Sequence, residues 1–132
     1  ILLFEDVNLD SVPDIQLELL PSLNLVSKDS AVYNFTYIIH LGMGGSSLAP
    51  EVFFKVFGNK NGYPTLEILD STHPDVVEKT LNTDLSKKFF IVASKSGGTT
   101  ETMSFFHKAF EEVSRRKENA GENFAAINDR GT

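Results

Sequence analysis

Cysteine and tryptophan are absent from this 132-residue sequence, and methionine occurs only twice. Without a thiol there is no disulfide framework, thiolate nucleophile, zinc knuckle, iron–sulfur ligation or dithiol redox motif. Positive charge is also scarce: 12 Lys and Arg stand against 18 Asp and Glu, a formal net charge of -6. Such a field turns polyanions away, so neither a nucleic-acid nor a membrane partner is expected. No apolar run approaches the roughly 20 residues that span a bilayer. The opening Ile1-Leu2-Leu3-Phe4 has neither the basic flank nor the small-residue cleavage site of a signal peptide, which makes a cytoplasmic protein the default expectation. What is present, 41% hydrophobic and 23% charged residues, suits one globular domain able to bury a core without covalent staples. The chain opens without Met on that apolar tetrapeptide and reads as the interior of something longer.

Residues 1–34 carry no persistent period: Asp6, Asn8, Asp10, Pro13 and Pro21 interrupt short apolar groups, and an irregular N-terminal segment is expected. From Phe35 the pattern becomes a repeat of apolar run, Gly- or hydroxyl-rich turn and amphipathic stretch. A strand is predicted over 36–41 and a helix over 48–57, with Pro50 in its first turn and Gly58 as its stop. Leu48, Val52, Phe53, Val56 and Phe57 share one stripe of that helix. A second unit has a strand over 65–69, a turn over 70–73 and a helix over 74–81. A third has a strand over 88–93, a turn over 94–99 and a helix from 100 to about 117. A polar loop over 118–123 leads to a fourth strand over 124–127, which no helix follows. Three consecutive β–α units with short connections predict an α/β fold, a three-layer αβα sandwich on a parallel, doubly wound sheet whose last unit is unfinished.

In such a sheet a ligand sits beyond the carboxyl ends of the strands. The loop after the first strand, Gly42-Met43-Gly44-Gly45-Ser46-Ser47, sets three glycines and two hydroxyls before a helix start, where unpaired N–H groups can meet an anion. The loop after the third strand, Ser94-Lys95-Ser96-Gly97-Gly98-Thr99-Thr100-Glu101-Thr102, packs five hydroxyls, one cation and two glycines into nine residues. Hydroxyls and backbone N–H groups can satisfy the oxygens of a phosphate monoester without a strong positive field, so the net charge is no obstacle. The bland alternative for each loop is a tight turn with a Ser or Thr cap. A Walker A loop is excluded, because no Gly-Lys-Ser/Thr follows a four-residue spacer. A dinucleotide-binding module stays open: Gly42-x-Gly44-x-x-Ser47 approximates its fingerprint, and Asp70 ends strand two where a ribose-binding acid would stand.

At these loops the sequence resembles the sugar isomerase (SIS) phosphosugar-binding domains, and among them the phosphoglucose isomerase family. Ser94-x-Ser96-Gly97-x-Thr99 follows the SIS phosphate loop, and the run from Ser94 to Glu101-Thr102 is similar to the isomerase's Ser-Lys-Ser/Thr-x-Ser/Thr-Thr-x-Glu-Thr. The string Gly42 to Pro50 is similar to its Gly-x-Gly-Gly-Ser-x-Leu-Gly/Ala-Pro. The wording over 41–52, 69–72 and 104–106 is most similar to the isomerase half of bifunctional transaldolase/phosphoglucose isomerases. The resemblance covers about residues 35–129 and implies a flavodoxin-like strand order, with 35–132 forming a partial SIS domain. It implies that Ser46, Ser94, Ser96 and Thr99 hold the 6-phosphate of a small-molecule sugar phosphate, with Lys95 contributing its backbone N–H and Gly45 lining the sugar. It implies no metal and no organic cofactor, and a homo-oligomeric parent. Gly98 departs from the pattern, standing where the isomerase has Ser or Thr. A phosphosugar-sensing SIS module without catalysis fits the same residues.

The resemblance also implies that isomerisation uses an Arg after a Gly-Gly pair, a Glu base, a His and a Lys, all expected beyond position 132. Neither Gly44-Gly45 nor Gly97-Gly98 is followed by Arg, so this piece is expected to bind rather than turn over. His40, His73 and His107 are scattered without metal-ligand spacing and are expected to be structural, His73 being the best candidate for a role beside the loops. Phe53, Phe54, Phe57, Phe105, Phe106 and Phe110 are expected in a core or a subunit interface. Arg115-Arg116-Lys117 is expected to be a solvated helix end.

Overall fold

The structure, a computed structural model, describes residues 2, 3 and 35–129. In chain order the elements are β1 (Leu2–Leu3), β2 (Tyr37–Leu41), α1 (Gly45–Phe57), β3 (Thr65–Leu69), α2 (Pro74–Leu81), β4 (Lys88–Ala93), α3 (Thr100–Ser114) and β5 (Phe124–Ile127). Short 3-10 turns at Leu85–Lys87 and Ala120–Asn123 lead into β4 and β5. The five strands form one sheet in the order β1-β5-β4-β2-β3, and every pairing is parallel. The α/β fold and the doubly wound order expected for strands two to five are those observed.

The strand over 36–41 starts one residue later than its apolar run suggests, and Leu2–Leu3 pairs with Ala125 and Ala126 of β5. No period marks that strand, because two residues are too few to show alternation. The rest of the irregular segment expected over 1–34 lies outside the described residues, as do positions 130–132.

Right-handed crossovers decide which face each helix covers. The step from β2 to β3 runs one way across the sheet, and the steps from β3 to β4 and from β4 to β5 run the other way. Hence α1 lies on one face and α2 and α3 lie together on the opposite one. Ile39, Leu41, Leu69, Phe90, Val92 and Phe124 point to the α2/α3 face and close a core with Leu81, Phe105, Ala109 and Val113. Phe90 stacks on Phe124 at a centroid distance of 4.9 Å, and Phe106 and Phe110 pack around the same ring. Burial of each such ring contributes about 1.5–3 kcal/mol. A smaller cluster of Phe35, Phe89 and Ala125 lies on the other face.

One boundary is corrected at α1, and of the core or subunit interface expected for its phenylalanines the exposed rings leave only the second. The helix begins at Gly45 rather than 48, so Pro50 lies inside it instead of in its first turn. Its apolar stripe faces away from the sheet: Ser47, Pro50, Glu51 and Phe54 are the inward residues, while Leu48, Val52, Phe53, Val56 and Phe57 are exposed, Phe57 by 79%. Phe53 and Phe57 are therefore not core in this chain, whereas Phe105, Phe106 and Phe110 are. Periodicity identifies a stripe but not the body that the stripe addresses.

Candidate functional site

Strands β2 and β4 are neighbours, in register from Tyr37 opposite Lys88 to Leu41 opposite Val92. The connection leaving β2 goes to one face and the one leaving β4 goes to the other. The crevice beyond their carboxyl ends is therefore the topological switch point of the sheet, the place where open α/β folds bind ligands. Both loops singled out in the sequence begin there.

Each loop is tied to the strand on its outer side. Gly42 donates its N–H to the Leu69 carbonyl at the end of β3 (3.3 Å), and Ser94 donates to the Ile127 carbonyl at the end of β5 (3.0 Å). Asp129 N–H adds a bond to the Lys95 carbonyl at 3.2 Å.

The first loop turns at Gly44, whose φ of 55° lies in the left-handed region that glycine tolerates. Gly44 then acts as the N-cap of α1 and offers no side-chain bond to its N–H groups. Ser47, one of the two hydroxyls expected near this N-terminus, folds back onto the Gly44 carbonyl at 2.9 Å and is buried. Ser46 is half-buried, and Gly44 and Gly45 are exposed. Apart from its chain neighbours and the backbone of its own helix turn, no atom among the described residues lies within 4 Å of where a side chain on Gly45 would begin.

The second loop turns at Gly97, with φ of 66°, and closes with a Gly97 N–H bond to the Ser94 carbonyl at 3.1 Å. Ser94 is buried and its Oγ lies 3.0 Å from Thr99 Oγ1. Thr99 is the N-cap of α3, yet its hydroxyl engages Ser94 and caps none of the helix N–H groups. Lys95 and Ser96 are exposed, and Ser96 Oγ accepts weakly from Gly98 N–H at 3.4 Å. Two helices thus start at one sheet edge without side-chain caps, with the hydroxyls of their loops turned to other partners or to solvent. Uncapped N-termini favour negative charge.

A match to the family model described as Phosphoglucose isomerase runs over residues 26–129, which takes in both loops and every strand from β2 to β5. The chain belongs to the phosphoglucose isomerase family. Glucose-6-phosphate isomerase of Cyanothece sp. is 38% identical over 94 residues, covering 69% of this chain and 17% of the relative. That of Geobacter sp. is 34% identical over 106 residues, covering 78% of this chain and 19% of the relative. The chain thus spans under a fifth of these curated relatives. A crystal structure of a glucose-6-phosphate isomerase from Chlamydia trachomatis matches with a TM-score of 0.74 at 20% identity, over 97% of this chain and 25% of that one. A hypothetical protein from Thermus thermophilus matches at 0.66 and 24% identity, over 83% and 28%. At such identities these two likenesses establish the fold.

Other candidates resolve differently within this phosphoglucose isomerase fold. Asp70 is exposed at the end of edge strand β3, one strand away from the switch point. His73 is the N-cap residue of α2, with Nδ1 3.8 Å from the exposed Asp75 carboxylate. His40, by contrast, is buried and reaches the first loop, with Nε2 2.8 Å from the Ser46 carbonyl. Its place on an apolar strand gave only the structural reading, since the carbonyl it meets is invisible in the sequence. Arg115 and Arg116 are held in ion pairs with Glu111 and Glu112. No group of three or more metal-ligating side chains occurs among the described residues, and no helix there is long and apolar enough to cross a membrane.

Two grooves lie elsewhere, one of about 770 Å³ between α2 and α3 and one of about 940 Å³ along β3. Neither is lined by Gly45, Ser46 or any residue over 94–99. The second loop reaches the first groove only through Thr100 and Glu101 at the start of α3.

Proposed function

We propose that this chain is the substrate-phosphate half-site of a glucose-6-phosphate isomerase, and that its parent interconverts glucose 6-phosphate and fructose 6-phosphate. The observation that carries the reading is the pairing of two uncapped, hydroxyl-rich helix starts across one switch point. Ser94, Ser96, Thr99 and Ser46 would ligate the 6-phosphate with the Lys95 backbone N–H, and the open space over Gly45 would admit the sugar. Isomerisation through a cis-enediol needs a carboxylate that takes a proton from C2 and returns it to C1, with further groups to open the ring. Those tasks fall to an Arg, a Glu, a His and a Lys outside this half-site. A cytoplasmic, homo-oligomeric parent working without metal or organic cofactor goes with this reading. The similarity over 41–52, 69–72 and 104–106 supports a parent fused to a transaldolase, which the sequence of the parent gene tests.

Calorimetric titration of the chain with fructose 6-phosphate, and separately with NAD and ATP, distinguishes the readings. Heat with the sugar phosphate that is lost on combining Ser94→Ala with Thr99→Ala supports the half-site. Heat with a nucleotide that depends on Asp70 overturns it.

A further inference from the structure

An α-helix joins the carbonyl of each residue to the N–H four residues on. In α1 the carbonyl of Ser46 faces position 50, and position 50 is proline, which has no N–H to give. That carbonyl is nevertheless satisfied, because His40 reaches across from the end of β2 and places Nε2 2.8 Å from it. A carbonyl only accepts, so Nε2 carries the proton. The approach uses the space at Gly42: a Cβ there would stand 3.1 Å from His40 Nε2 and 3.2 Å from the Ser46 oxygen, so tight that one of them would have to give by a few tenths of an ångström. Positions 40, 42 and 50 therefore interlock around one backbone oxygen. That oxygen belongs to the loop residue whose hydroxyl is assigned to the phosphate.

We propose that His40 is a positioning residue that replaces the amide missing at Pro50, clamping the first turn of α1 and with it Ser46 to strand β2. The proposal rests on the half-site reading. A proline six residues into a helix would otherwise leave the turn before it free to fray, since one of its few backbone bonds is gone. With the imidazole in place, the glycine loop is fixed at one end by the Leu69 bond and at the other by the side chain of the same strand that feeds it.

The test is a thermodynamic cycle on fructose 6-phosphate affinity with His40→Leu, Pro50→Ala and their combination, and His40→Gln as the conservative variant. Pro50→Ala restores an N–H at the helical position, so it makes the imidazole redundant. The expected result is a loss of affinity of about tenfold for His40→Leu, with most of it recovered in the double variant and in His40→Gln. Losses that multiply independently in the double variant would overturn the clamp and leave His40 as packing. If His40→Leu does not fold, His40→Gln and the double variant still decide. The ¹⁵N shifts of the wild-type imidazole give a second readout: a proton on Nε2 at neutral pH is expected, and one confined to Nδ1 contradicts the proposal. Absence of sugar phosphate binding in the wild type would sink the half-site reading instead. The cycle measured on melting temperature and the tautomer would then judge the clamp separately.

Discussion

The hydroxyls of Ser94 and Thr99 lie 3.0 Å apart, joining the end of β4 to the N-cap of α3 across the turn at Gly97. One of the two oxygens donates to the other, so the pair keeps a single free proton and several lone pairs. A phosphate arriving at the uncapped helix start can take that proton and the N–H groups beneath it. Ser94 is buried and pre-positioned by its own backbone bond to Ile127, which limits the ordering cost of binding.

Loss of either hydroxyl should thus weaken binding more than it weakens the fold. Ser94→Ala and Thr99→Val are each expected to lower fructose 6-phosphate affinity by roughly tenfold, the worth of one hydrogen bond to a charged group. Titration calorimetry checks this, and unchanged circular dichroism spectra would show that the loop, not the domain, has been altered.

Gly98 offers the opposite change. Its φ is not in the left-handed region, and a Cβ there would find its nearest neighbour, the Ser96 carbonyl oxygen, at 3.9 Å. A Cβ at 98 thus meets neither a close contact nor a left-handed backbone, and a threonine there would supply the hydroxyl that the resemblance implies. Gly98→Thr is expected to tighten sugar phosphate binding about fivefold and to raise the melting temperature slightly through lower chain entropy. Gly97→Thr, at φ of 66°, is expected to destabilise the loop.

His40 gives the pH dependence a definite sign. Burial pushes its imidazole below the usual value near 6.5, outweighing the upward pull of the Ser46 carbonyl. The unfolded chain then takes up a proton before the folded one does as pH falls. Stability carried by neutral His40 is complete above the unfolded value and is lost progressively as pH drops from there toward the folded value. Ser86 beside Asp84 and Lys108 beside Glu112 hold those two carboxyls below their ordinary range, so they titrate lower still. Urea midpoints measured about one pH unit above and about one pH unit below the ordinary imidazole value should differ in favour of the higher pH, and His40→Gln should flatten the difference.

Asn123 shows where stability hides from composition. It sits in a stretch that reads as polar loop, yet it is fully buried. Its Nδ2 donates to the carbonyls of Lys88 at 2.8 Å and Leu85 at 3.3 Å, and its Oδ1 accepts from Lys117 at 3.0 Å. Asn123→Ala removes a buried donor from the Lys88 carbonyl, while the Leu85 carbonyl keeps the Lys88 N–H and Lys117 keeps Glu122, and it is expected to cost about 1–3 kcal/mol in chemical denaturation. It should leave sugar phosphate affinity per folded molecule unchanged, since it lies at the opposite end of β4 from the loops.

Strand positions from Tyr37 to Ile127 and the two loops were legible because buried parallel strands and glycine-rich turns leave strong local signals. Three features were not. The outward turn of Phe53 and Phe57 depends on which side of α1 meets the sheet, and Ser47 and Pro50, the residues that do, look unsuited to a core. Lys88 opens β4 as a charged residue but is buried, its Nζ donating to the Thr80 carbonyl at 2.8 Å near the end of α2. His40 reads as a lone polar residue in an apolar run until the carbonyl left by Pro50 stands beside it. Each of these is a contact between segments, which no local period encodes.

The joint action of the two loops is tested most directly by following backbone amides in ¹H–¹⁵N spectra while fructose 6-phosphate is added. The expected result is that Gly45 and Ser46 in the first loop shift together with Ser96, Gly97 and Thr99 in the second, all along one binding curve. Shifts confined to a single loop, or none in either at concentrations that saturate the calorimetric signal, would contradict the shared phosphate site.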